Sequence, residues 1–156
     1  VPAGGEIPDP NLNQKFEHKL TFLDELNKLL NSKKNRMTIV CGDLNVAPHE
    51  DDVWSHKSLQ NVISHTEIER ETLKNILESN NFIDAIRFFL NSPKNIFTWW
   101  SYRSPNFEMN NRGRRLDHIW VSKNLLKNLK NAKILKNYRK KNKPSDHVPI
   151  CLELNI

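Results

Sequence analysis

Apolar residues recur at steps of three and four across residues 13–31, at Phe16, Leu20, Leu23, Leu26, Leu29 and Leu30, with Lys and Glu between them. That spacing predicts an amphipathic helix with one inward stripe. Met37-Thr38-Ile39-Val40-Cys41 is short, β-branched and ended by Gly42, which predicts a buried strand. A polar stretch with Pro48, His49, Glu50, Asp51 and Asp52 follows. A second helix is predicted over residues 67–79, with Leu73, Ile76 and Leu77 inward, and a short one over 82–90. Residues 97–100, 116–122, 132–138 and 148–154 read as strands, while residues 1–12, with Pro2, Pro8 and Pro10 around a Gly pair, read as irregular loop.

Strands and helices mixed in this way imply a sheet covered by helices, in the α/β or α+β class. With 156 residues and 37% hydrophobic content, a single domain with its own core is expected. No internal repeat is present, and the many Asn residues are spread along the chain rather than blocked. Nothing approaches the ~20 apolar residues of a bilayer span, and no basic-then-apolar leader opens the chain, so an intracellular, cytoplasmic protein is expected. Cys41 and Cys151 each lie in an apolar run, where small buried thiols belong in a reducing compartment.

Charge adds a partner class. Lys and Arg number 24 against 18 Asp and Glu, a formal net charge of +6, which favours polyanions such as nucleic acid. A solvated basic surface is the plainer alternative, and charge alone does not separate the two. The excess is uneven: residues 123–143 hold nine Lys or Arg and no acid, the pattern of a phosphate-facing strip or a mobile basic loop.

The candidate chemistry lies at predicted strand ends. Gly42-Asp43-Leu44-Asn45 follows the first strand, and an Asp and Asn two apart there can take a proton from water and donate to a phosphoryl oxygen. An Asx turn closing the strand is the structural alternative. Ser145-Asp146-His147 precedes the last strand, where His147 is able to touch phosphate or water and Asp146 to help hold a divalent cation; a turn with an exposed His is the plainer reading. Asp117 opens the 116–122 strand, an awkward place for a charge without a partner, and a histidine from a neighbouring strand would suit it.

The order Gly-Asp-x-Asn, Arg115-Leu116-Asp117, Ser145-Asp146-His147 resembles the C-terminal half of the endonuclease/exonuclease/phosphatase superfamily. Val1-Pro2-Ala3-Gly4-Gly5, Phe97-Thr98-Trp99-Trp100-Ser101-Tyr102-Arg103 and Asn111-Arg112-Gly113-Arg114-Arg115-Leu116-Asp117-His118 resemble its exonuclease III and apurinic/apyrimidinic endonuclease branch. The resemblance implies a two-layer sheet sandwich flanked by helices, of which residues 1–156 form one partial domain, roughly the C-terminal half. The opening without an initiator Met agrees with a fragment or processed product. The remaining half, or a second copy of the chain, would then cover the exposed sheet face.

For function, the resemblance implies a DNA-repair phosphodiesterase, a 3′-5′ exonuclease and abasic-site endonuclease, acting on double-stranded DNA with Mg²⁺ or Mn²⁺ and weak or silent as an isolated segment. Asp43 would activate the attacking water with Asn45 holding it or the phosphate, Asp117 would orient His147 against the scissile phosphate, and Asp43, Asn45, Asp146 and His147 would surround the metal. Trp99 and Leu116 match pocket positions for an extruded baseless sugar, although an indole on a strand is also an ordinary core residue. Arg114 stands where some relatives carry a large apolar residue or Trp, and Arg112 and Arg115 are candidates for phosphate contacts or for salt bridges. Two other readings are open: a phosphoesterase of the same superfamily acting on RNA, phospholipid or inositol phosphate, and a non-catalytic, basic nucleic-acid-binding module.

Overall fold

Asn13 caps the first helix rather than joining it. Its side chain accepts from the Lys15 and Phe16 amides, and α1 runs Gln14–Asn31 in the computed structural model, which describes residues 1–34, 36–90, 96–104 and 106–155. Phe16, Leu23 and Leu30 are buried along α1, one heptad apart, whereas Leu29 is 56% exposed. The same face carries a residue that the apolar pattern misses: Lys19 is fully buried among these side chains.

The chain continues through β1 (Ile39–Asp43), a 3₁₀ turn (Glu50–Asp52), α2 (His56–Leu59), α3 (Glu67–Ser79), β2 (Phe82–Asp84) and α4 (Ala85–Phe89). Then come β3 (Trp99–Trp100), α5 (Phe107–Asn110), β4 (Gly113–Arg114), β5 (Asp117–Ser122), a 3₁₀ segment (Lys123–Asn128), β6 (Leu129–Ile134), a 3₁₀ segment (Lys136–Lys140) and β7 (Ile150–Leu154). α3 has the expected bounds because Thr66 and Glu69 form a capping box at its start.

β5 lies between β1 and β2, antiparallel to both, and its side chains alternate between two cores. Trp120 joins Leu23, Leu30, Leu44, Val46, Leu73, Ile76 and Phe82 beneath α1 and α3. Ile119 and Val121 pack on the opposite face with Ala85, Ile86, Leu125 and Ala132, against partly buried Ile150 and Leu152 of the antiparallel β6–β7 pair. The two sheets therefore stack as the expected sandwich, with helices outside. β3 and β4 form a third, two-stranded ladder. Gly113 is required in it by packing, since a Cβ there would sit 2.7 Å from the Phe97 Cβ and the Trp100 Nε1.

Several expectations need correction. Among the described residues β1 is an edge strand, not one buried on both faces; Ile39 is 42% exposed, Val40 packs on the core only partly buried, and the fully enclosed residues are Leu44 and Val46 beyond it. Cys41 and Cys151 are exposed free thiols, because each falls on the outward side of an alternating strand. Residues 82–90 split into β2 and a short α4, with Asp84 pairing opposite Trp120 while its carboxylate caps α4 through the Ile86 and Arg87 amides. The strand expected at 132–138 is shifted to Leu129–Ile134. Leu135 N–H donates to the Pro149 carbonyl at 2.9 Å, but Pro149 has no N–H to return, so the ladder stops and the chain turns into 3₁₀ helix.

The basic strip is thus partly regular structure rather than a mobile loop. Arg139 is buried over the Tyr102 and Phe107 rings, and Lys136 lies over Trp100, whereas Lys123, Lys127, Lys130, Lys133, Lys140, Lys141 and Lys143 are exposed. Among the described residues, no helix is long and apolar enough to cross a membrane.

Candidate active site

Asp43 closes β1 and Asp117 opens β5, and the antiparallel register sets the two carboxylate residues directly opposite each other. Gly42, paired with His118 one residue before the strand end, has φ +142°, which a side chain would strain. Asn45 adopts φ +52°, where Asn is tolerated. Its backbone N–H donates to Asp43 Oδ1 at 2.8 Å and its side-chain amide to Asp43 Oδ2 at 2.9 Å and to the Val1 carbonyl at 2.9 Å. The Asx turn and the candidate catalytic pair are one object: the turn orients both carboxylate oxygens of Asp43.

His147 arrives from the other end of the chain. Val148 N–H donates to the Thr98 carbonyl, Trp99 and His147 form an antiparallel bridge, and the Ser145 hydroxyl accepts from the His147 amide at 3.1 Å. The ring's Nδ1–H donates to Asp117 Oδ2 at 2.8 Å, leaving Nε2 3.9 Å from Asp43 Oδ2. Thr98 holds the other end of this relay, its hydroxyl accepting from the Leu116 and Asp117 amides at 3.0 and 3.1 Å.

Electrostatics follow from this packing. The Asp117 hydrogen bond outweighs burial and holds the His147 pKa above the ordinary imidazole range, with Asp43 and Asp146 adding to the effect. Burial raises the Asp43 carboxyl above the usual range; the Asn45 amide opposes this, and the facing Asp117 charge reinforces it. A carboxylate and an imidazole whose charged form is favoured therefore face the same small space, an arrangement able to activate water on one side and neutralise a phosphoryl oxygen on the other. Ligand atoms of Asp43, Asp117 and His147 all lie within 4.8 Å of one another, a group able to hold a metal ion.

The remaining expected residues separate. Asp146 is adjacent but outside that group: it accepts from the Trp99 indole N–H at 2.9 Å, and its carbonyl accepts from the Trp100 amide. Trp99 lines an open cleft of about 440 Å³ with Trp54, Ser101, Arg103, Ser104, Asn110, Arg112 and Arg114. The Arg114 guanidinium lies 5.5 Å from the Trp99 ring and that of Arg112 4.8 Å from the Trp54 ring. Arg114 is also tied down, donating to the Ile63 carbonyl and the Ser64 hydroxyl. Leu116 is not among these lining residues. It is 5% exposed and packs with Ala47, Val53 and Leu59 behind Trp99.

Of the two roles expected for Arg115, the structure shows the salt bridge: fully buried, it donates to Asp52 and Asp84 within the core rather than to exposed acids, and these carboxylates hold its pKa above the usual range despite burial. In return Asp52 and Asp84 are held below the usual carboxylate range, burial being outweighed by the Arg115 charge.

Sequence reasoning missed the supports of the site. Thr98 had no distinguishing signal. Lys19 did have one, since it falls three residues after Phe16 and four before Leu23 on the apolar stripe, where a lysine must find a buried partner. Glu69 was visible only as the third helical residue after Thr66.

The profile of the Endonuclease/Exonuclease/phosphatase family matches residues 7–147. Over 144 residues the chain is 33% identical to an exodeoxyribonuclease of Bacillus subtilis (strain 168), covering 92% of this chain and 55% of that one. It is 36% identical over 118 residues to the DNA repair nuclease APEX1 of Danio rerio, covering 76% of this chain and 36% of the relative. The fold matches an AP endonuclease from Archaeoglobus fulgidus with a TM-score of 0.91 at 30% identity, over 100% of this chain and 59% of that structure. The chain thus spans about half the length, or less, of these relatives.

Proposed function

From membership in the endonuclease/exonuclease/phosphatase family, to which this chain belongs, we propose that residues 1–156 carry the catalytic groups of a DNA-repair phosphodiesterase. It hydrolyses phosphodiesters of double-stranded DNA at 3′ ends or abasic sites. The observation that supports this most is the Asp43–His147–Asp117 arrangement, an oriented carboxylate facing an imidazole that a second carboxylate holds.

In this reading Asp43, kept in place by Asn45, takes the proton of the attacking water. The raised pKa that burial confers makes it a better base than a solvated aspartate. His147, charged through Asp117, donates from Nε2 to a non-bridging phosphoryl oxygen, while Asp117 fixes the tautomer by accepting from Nδ1–H. Trp99 walls the cleft beside the reacting phosphate and fixes the Asp146 carboxylate near it. The exposed Arg112 and the lysines near His147 bind phosphates away from the reaction, which positions the strand without reading its sequence.

Carboxylate oxygens gathered within 4.8 Å suit a hard divalent cation that keeps several waters, so the residues present fit Mg²⁺ or Mn²⁺. Asp43, with the Asn45 amide oxygen and the adjacent Asp146, would hold it, whereas His147, with both ring nitrogens protonated, would not, and the ion would supply charge neutralisation at phosphate. So few protein ligands bind such an ion weakly, so the isolated 156-residue chain cleaves slowly or not at all.

The test is incision of a fluorescent duplex carrying one abasic-site analogue, with Mg²⁺ and with EDTA, by this chain and by any longer native polypeptide that carries it. Metal-dependent incision that falls by about 10³-fold or more in Asp43→Asn, with duplex binding retained, is the expected result. Duplex binding that persists in EDTA with no incision by either protein would overturn the enzymatic reading and leave a binding module.

A further inference from the structure

One cation in the core has no part in the chemistry above, yet it touches the backbone of the site. Lys19 and Glu69 are both fully buried, and the ammonium donates to Glu69 Oε1 at 2.5 Å, to the Asn45 carbonyl at 2.7 Å and to the Ala3 carbonyl at 3.3 Å. All three of its N–H donors are therefore used. Glu69 is equally committed: its two oxygens accept from the Ser64 amide, the Thr66 amide and the Thr66 hydroxyl.

We propose that the buried Lys19–Glu69 pair is a positioning device for the site, setting the Asn45 backbone and, through the Ser64 loop, Arg114. The reasoning rests on what meets at the pair. Asn45 and Ser64 are both at positive φ, +52° and +82°; Asn tolerates this region, whereas Ser needs support from its surroundings to hold it. The Asn45 carbonyl is held by Lys19, and the side-chain amide of the same residue orients Asp43. The Ser64 amide is held by Glu69, and from there the Ser64 carbonyl accepts from Ala47 and its hydroxyl from Arg114. The Ala3 contact ties in the segment whose Val1 carbonyl accepts from the Asn45 side chain.

A buried ion pair is a poor way to gain stability, because desolvating both charges costs about as much as their attraction returns. Burial does work against this one, lowering the Lys19 pKa against the raising effect of Glu69. An apolar pair would fill the same space, but it would leave the Asn45 carbonyl and the Ser64 amide without these partners. What the charges supply is direction: a tripod donor and a bidentate acceptor that fix three loops from α1 and α3 at once.

The test has two readouts, so that failure of the phosphodiesterase reading, on which the word site depends, remains separate. In Lys19→Met, amide hydrogen exchange of residues 43–47 should accelerate by about tenfold or more while that of residues 119–121 at the centre of β5 is unchanged. In the form of the protein that incises the abasic duplex, kcat should fall by roughly 30-fold with KM within about twofold. On an Asn45→Ala background, Lys19→Met should cost less than about threefold, because a residue acting through Asn45 has little left to act on.

Lys19→Arg, which keeps the charge, should recover part of kcat. Unchanged exchange at 43–47, or exchange raised equally throughout β5, would overturn the proposal even if the protein incised no DNA. Equal kcat losses for Lys19→Met on both backgrounds would also overturn it, leaving a structural pair only. Should Lys19→Met not fold, the joint replacement Lys19→Met with Glu69→Leu removes both charges and is read in the same way.

Discussion

Replacing Asp117 with Asn tests the relay at its strongest contact. The amide keeps the shape and, through its oxygen, one hydrogen bond to His147 Nδ1–H, but it removes the negative charge 2.8 Å from the ring. A hydrogen bond to a charged group contributes about 1.5–3 kcal/mol and a neutral one about 0.5–1.5, so the loss is roughly 1–1.5 kcal/mol. The His147 pKa should fall toward the ordinary imidazole range in a proton NMR titration of the metal-free chain. Activity at neutral pH should fall by about 10–100-fold in kcat, since the charged form of the imidazole is less favoured and its orientation less constrained.

Stability should change in a definite direction as well. The folded pKa of His147 lies above the unfolded value, so the Asp117 bond stabilises the fold fully below the unfolded pKa, and this contribution disappears as the pH rises through the folded one. Asp117→Asn should therefore lower the urea midpoint more at about pH 5.5 than at about pH 9. A His147 pKa that is unchanged or raised in the variant, or a stability loss that is larger at high pH, would refute the reasoning.

Two further outcomes are expected. Arg115→Met leaves Asp52 and Asp84 buried with fewer partners and should cost about 3–5 kcal/mol, seen as a urea midpoint lower by roughly 1.5–3 M, while any residual activity keeps its KM. A raised KM at unchanged stability would restore Arg115 as a substrate contact. Lys141 and Lys143 line a hollow of about 450 Å³ that also includes His147. Converting both to Gln should weaken duplex binding uniformly across sequences and reduce the slope of log K against log salt by about one per lysine, measured by fluorescence anisotropy. An unchanged slope would place the strand elsewhere.

Elements whose information is local could be read from the chain directly. α1 and α3 are amphipathic over several turns and carry their own caps at Asn13 and Thr66, so periodicity and end chemistry agree there without help from the rest of the fold. Gly42-Asp43-Leu44-Asn45 is similar, because the turn that orients Asp43 closes within three residues. The motifs around Asp117 and His147 likewise identified the family from residue identities and order.

Tertiary structure decided everything that depends on two distant segments meeting. Arg112, Arg114 and Arg115 look alike in sequence, yet one stacks in the open, one is tied to the Ser64 loop and one is sealed in the core; buried Asp52 and Asp84, 63 and 31 residues away, decide which. β1 looks buried from its composition, but its place at a sheet edge exposes Cys41 and Ile39. Lys19 reads as a polar interruption of an apolar stripe until Glu69, 50 residues on, closes over it. A side chain's own chemistry determines which partners it can satisfy. Which partner it actually meets, and with it the pKa and the role, is set by long-range packing that no short window of sequence contains.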